Sequence, residues 1–164
     1  LSILHIMKTF FYIIILVIFY TCEDNPSTPN NDDSIAQNYF VIEIEETGES
    51  TLFIFQETIS NIENNDEIGL FDANGIIDNQ GNSGMILVGS GIWNGTQAEI
   101  VAIMGVDLSS LGGPTLPGST SGNDLVLKIW DQSEEMLYET TYVVENGSGT
   151  FNGLFTAISE INLE

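Results

Sequence analysis

The chain has 164 residues, of which 24 are Asp or Glu and only 2 are Lys or Arg, for a formal net charge of −22. The two cations are Lys8 and Lys128 and arginine is absent, which excludes nucleic acid as a partner, because neutralising a phosphate backbone requires Lys or Arg. At 43% hydrophobic residues, the length suits one domain with a sizeable core once an export segment is set aside, and no second domain is expected.

Met7-Lys8 precedes an apolar run from Phe10 to Tyr20, which gives way abruptly to Thr21-Cys22-Glu23-Asp24. A positive start, a short apolar run and a sharp polar switch are the marks of a secretory signal. The run from Phe10 is too short to span a membrane comfortably. Residues Leu1 to Ile6 read as translation upstream of a true start at Met7, so a signal or anchor segment is expected over 1–21. Cys22 is the sole cysteine, and no disulfide within the chain is possible. Its place at the end of the apolar run resembles a bacterial lipoprotein signal, in which the cysteine becomes the acylated N-terminus, although Phe19-Tyr20-Thr21 departs from the usual Leu and small-residue pattern. Cys22 is therefore the expected lipidation site, and the expected location is the outer membrane or cell surface, with a lipid holding the protein to the membrane. Plain secretion or an uncleaved anchor is the alternative. All 24 acids and only Lys128 among the cations lie beyond Cys22, a formal charge of −23 for that part.

Residues 22–37, rich in Asn, Asp, Ser and Pro with almost nothing to bury, read as an acidic flexible tether. The folded domain is expected over 38–164. Tyr39 to Glu46 alternates from Val41 onward, and Thr51 to Gln56 follows after a Thr-Gly-Glu-Ser link, so the pair predicts a hairpin. Asp66 to Gly95 carries two apolar runs, Ile68 to Phe71 and Met85 to Trp93, around an Asx/Gly-rich loop, with Asn94-Gly95 as the strongest local hairpin signal. Gly69, Gly89 and Gly91 point to bulges or close backbone approach. Ala98 to Val106 is a further apolar run. Asp107 to Asn123 is a long irregular segment with two prolines, either functional or a crossover. Asp124 to Trp130, Met136 to Val144 and Thr150 to Ile161 complete about eight short strands with no helical period. The predicted class is all-β, an antiparallel β-sandwich, with a small barrel as the alternative.

Three phrases, Asp66-Glu-Ile-Gly-Leu-Phe-Asp72, Val88-Gly-Ser-Gly-Ile-Trp93 and Leu127-Lys-Ile-Trp-Asp131, resemble a β-sandwich module that recurs in large secreted and cell-surface proteins of marine and Bacteroidetes-like bacteria. The similarity covers roughly Tyr39 to Ile161. It implies the fold and a surface location, beside sorting or adhesion modules in the family, and it implies no activity.

Function is read from the acids and aromatics. Asp72, Asn74 and Asp78 on a Gly-containing loop are candidate Ca²⁺ ligands, because the ion takes several oxygen donors; the spacing lacks the third acid and terminal Glu of a helix-loop-helix site, and a plain acidic turn is the competing reading. Trp93 and Trp130 are candidate ligand-stacking residues, with core packing as the alternative. A glycoside hydrolase needs two facing carboxylates, and Glu43, Glu45, Glu134 and Glu139 are the acids that alternation makes available. His5 and Cys22 both lie ahead of the domain, which leaves Ser and Thr without an ordinary general base and zinc without ligands. Lys128 is expected to be a surface cation paired with an acid. The expected function is that of a non-enzymatic surface lipoprotein module for adhesion or assembly. A carbohydrate- or Ca²⁺-binding module is the alternative, and an acidic-pair glycoside hydrolase comes third. The expected partners are the membrane, through the lipid, and a surface glycan or protein.

Overall fold

Alternating side chains organise the middle and end of the chain into strands, because each strand has one face to bury. The computed structural model describes residues 38–164; the expected signal segment over 1–21, the expected tether over 22–37 and Cys22 lie outside the described residues. The strands are β1 (Ser50–Phe55), β2 (Glu67–Ile76), β3 (Ser83–Ile92), β4 (Ala98–Ile103), β5 (Val106–Asp107), β6 (Thr115–Leu116), β7 (Leu125–Asp131), β8 (Met136–Asn146) and β9 (Phe155–Leu163). The one helical element among the described residues is a 3-10 turn, Ser109–Leu111. No described helix is long and apolar enough to cross a membrane. The all-β class is as expected.

Seven strands share one sheet in the order β3-β2-β7-β8-β9-β1-β4. The long strand β8 pairs with β7 through Lys128 to Asp131 opposite Met136 to Glu139, and with β9 through Thr140 to Asn146. Passing from one partner to the other along its length, it serves as the bend of the sheet. The sheet curls until it is nearly closed, between the sandwich and the barrel considered from the sequence. The core sits inside the curl. Phe53 and Phe55, Ile68 and Leu70, Leu127 and Ile129, and Ile158 and Ile161 point into it from β1, β2, β7 and β9, all at or below 1% exposure. Each such side chain contributes on the order of 1.5–3 kcal/mol by leaving water.

Three pairings differ from expectation. First, β1 pairs with β9 in parallel and with β4 antiparallel, so the sheet is mixed rather than antiparallel throughout. Second, both edges of β1 are thereby occupied, and Tyr39 to Glu46 forms no strand with it. Third, Asn94-Gly95 makes a turn, with Asn94 Oδ1 accepting from the Thr96 amide at 3.0 Å, but it closes no ladder. It joins β3 to β4, the two end strands, which face each other across the seam of the curl. The expected close approach at Gly89 is found here: a Cβ on it would stand 2.7 Å from the Val101 carbonyl oxygen. The long segment 107–123 is a crossover from β4 to β7, stitched by the β5–β6 ladder and by paired bonds between Ile76 and Gly118 at 2.8 and 2.9 Å.

Candidate functional site

Three carboxylates on Asp66–Asp72 are buried, against the habit of their residue type: Asp66 is 2% exposed, Glu67 5% and Asp72 1%. Each is surrounded by donors. Asp66 accepts from the backbone amides of Glu63 at 2.7 Å and Gln132 at 3.2 Å, tying the link before β2 to the β7–β8 turn. Glu67 accepts from the amides of Tyr39 at 2.8 Å and Phe40 at 3.0 Å, one on each oxygen. Asp72 accepts from the amides of Asn74 at 2.8 Å and Thr120 at 2.7 Å and from Asn123 Nδ2 at 2.9 and 3.0 Å, which holds the crossover against β2. These acids are structural clamps on segments that lack a ladder. Sequence reasoning missed that role, although the signal was present: Asp72 follows Ile68 and Leu70 at period two, on the face that is buried.

The predicted calcium ligands do not converge. Asp72 and Asn74 lie on β2, whereas Asp78 sits beyond its end, where it accepts from the amides of Gln80 and Asn82 at 3.0 Å and from Asn82 Nδ2 at 2.7 Å. Asp72 is instead committed to donors on Asn74, Thr120 and Asn123, and Asp78 to those of its own turn, so the two carboxylates serve separate sets of N–H groups. No group of three or more Asp, Glu, His or Cys able to hold a metal occurs among the described residues. The Asn82 side-chain amide and then its backbone N–H hold the Asp78 carboxyl below the usual aspartate range, so it is charged.

The two tryptophans part company as well. Trp93 is 1% exposed and belongs to the core, which removes it as a stacking platform. Trp130 lies on the outer face of β7, half-buried, with the Tyr39 ring stacked on it at 3.9 Å and 3°. Lys128, on the same face, pairs with Glu139 at 2.6 Å, as its alternation implied.

Of the candidate acids, Glu134 accepts from the Tyr138 hydroxyl at 2.6 Å and Glu139 pairs with Lys128, both away from any groove. Glu43 and Glu45 instead lie on a strap, residues 38–49, that crosses the outside of the sheet. Its start is fixed by the Glu67 clamp, by Tyr39 on Trp130, and by Phe40, whose ring lies over Gly69. A Cβ on Gly69 would stand 2.8 Å from Phe40 Cζ, so only glycine leaves room. Its far end is fixed by Thr47 Oγ1, which donates to the Met104 carbonyl at 2.6 Å. Between those anchors, Val41–Glu46 makes no backbone hydrogen bond to any described residue. A groove of about 500 Å³ runs on one side, against Val101 and Ile103 of β4. Another of about 700 Å³ runs on the other, against Ile77–Gln80 and Pro114–Pro117. Glu46 borders both, Glu49 the first, and Glu43, Glu45 and Asp78 the second, beside Ile44, Ile77 and Leu116.

Compared with protein-family models, with curated proteins and with solved structures, the chain matches none. The strap and its grooves must be judged on their chemistry. Exposed carboxylates over apolar floors suit a ligand that is cationic and partly apolar, and the one described cation, Lys128, is already engaged.

Proposed function

We propose that residues 38–164 form a non-enzymatic binding module of an exported, lipid-anchored surface protein, acting in adhesion or assembly through the acid-rimmed strap. The observation that carries this reading is a division of labour among the acids. The buried ones, Asp66, Glu67 and Asp72, are engaged by backbone and side-chain N–H donors, while Glu43, Glu45, Glu46 and Asp78 gather at an open groove with exposed apolar neighbours such as Ile77, 44% exposed. Buried carboxylates so engaged hold loops in place, and solvated ones at a groove attract a partner. The absence of histidine and cysteine from 38–164 is consistent with binding rather than acyl or metal chemistry.

The test is retention of basic, neutral and acidic polypeptides on the immobilised protein, run beside hydrolysis assays on polysaccharides. Salt-sensitive retention of the basic set and no turnover is the expected result. Turnover abolished by Glu43→Gln or Glu45→Gln would overturn it. A second reading, carbohydrate binding, is favoured by one observation, the Tyr39–Trp130 stack on the outer face. A glycan array with wild type and Trp130→Ala separates the two, since saccharide binding lost in that variant supports the second reading alone.

A further inference from the structure

We propose that Val41–Glu46 is a strand awaiting its partner, and that the partner is an extended peptide segment in which Lys or Arg alternates with apolar residues, added alongside the strap by backbone hydrogen bonds. The inference rests on the binding-module reading above and names the partner's class.

Four observations carry it. Val41-Ile-Glu-Ile-Glu-Glu46 has the β-branched, alternating composition of a strand, yet β1 is paired on both sides, by β4 and β9, and offers the strap no edge. The backbone N–H and C=O groups of the six residues make no bond to any described residue, and a row of such groups is a template for another strand. The two ends are pinned, by Glu67 on Tyr39 and Phe40 and by Thr47 on Met104, and Ile44 rests on the core, so the ordering left for a partner's arrival is chiefly the straightening of the bend at Ile44. Open grooves flank the strap, with apolar floors to receive alternate side chains of an added strand.

Charge selects among occupants. The strap carries Glu43, Glu45 and Glu46, and the whole chain beyond Cys22 has one cation, engaged by Glu139. A second copy of this chain would lay acids against acids, since its own strap is the same sequence. The preceding segment, with Glu23, Asp24, Asp32 and Asp33, is also acidic. A basic segment from another protein satisfies the backbone and the carboxylates together, and juxtaposed like charges disfavour the other two.

The experiment uses a synthetic peptide alternating lysine with valine, titrated onto the protein by calorimetry, with amide hydrogen exchange read residue by residue. Saturable binding weakened by salt is expected, with slowed exchange at Val41–Glu46. N-methylation of alternate peptide amides preserves charge and composition while removing ladder donors, and should weaken binding roughly tenfold for each blocked bond. Glu43→Gln with Glu45→Gln should weaken it several-fold without altering the melting temperature. Equal binding of the methylated and unmethylated peptides would overturn the strand-addition proposal while leaving the binding-module reading intact. So would slowed strap exchange in a self-associated form without peptide, or strap protection that vanishes when residues 22–37 are removed. Failure of every basic polypeptide to bind would remove both readings.

Discussion

Replacing Asp72 by alanine tests the clamp reading most directly. The carboxylate is 1% exposed and takes the amides of Asn74 and Thr120 together with the Asn123 side chain. Alanine would leave all three donors without their acceptor, in a part-buried setting. A hydrogen bond to an ionised group is worth about 1.5–3 kcal/mol, and the three share one acceptor group, so they do not add fully. A loss of about 3–5 kcal/mol follows, comparable to removing one partner from a buried polar pair. For a domain of this size each kcal/mol moves the melting temperature by about 3–5 °C, giving a fall of roughly 10–20 °C. Asp72→Asn keeps the shape and one acceptor oxygen but sets an amide donor against donors, and should lose about half as much. Thermal melts followed by circular dichroism, with and without millimolar Ca²⁺, make the measurement. The clamp predicts the same loss in both. A loss under about 1 kcal/mol for alanine, or one that appears only with Ca²⁺ present, would refute it.

Other expectations follow from the same geometry. Gly69→Val forces a branched side chain into the space of the Phe40 ring, 2.8 Å away; the strap should detach at its start, visible as faster amide exchange at Tyr39 and Phe40 and a changed Trp130 emission, with β2 intact. Asp78, Asp107 and Asp131 have carboxyls held below the usual aspartate range by Asn82, by the Ser109 N–H and by the Glu134 N–H respectively. Their depressed values contribute stability that is present above the unfolded-state value near 4 and is lost as pH falls through the folded values. The gap in melting temperature between wild type and the triple Asp→Asn variant should therefore be largest near neutrality and shrink below about pH 4, and parallel curves would contradict this. Cys22→Ser should move the protein from the membrane fraction to the soluble one, and continued membrane association would rule out lipid anchoring.

Strand identity was legible where burial repeats with period two. Leu125, Leu127 and Ile129 alternate with Val126, Lys128 and Trp130 in sequence and in exposure, and β8 was placed to within two residues, whereas β9 begins at Phe155, five residues after the expected Thr150. Pairing was not legible, because it is decided by which faces can be buried together across the whole chain. The local hairpin expected for Tyr39–Glu46 loses to the long-range partners that carry Phe53 and Phe55 into the core. The Asn94-Gly95 signal reported a turn correctly and its consequence wrongly, since its flanking strands have better partners in β2 and β1. At the candidate site, the acids were visible and their division was not. A buried Asp and a solvated one look alike in composition, and only the donors around Asp72 separate it from Asp78.

The position of β9 has a consequence for the order in which the molecule can be completed. Strand β9, more than 90 residues after β1 in sequence, is inserted between β8 and β1. Until residues 155–163 are in place, β1 and β8 each expose an unpaired rim, with Leu52 and Ile54 beside it. A chain cut short before Phe155 would keep both rims and should clump rather than fold, which makes β9 the latch of this sheet.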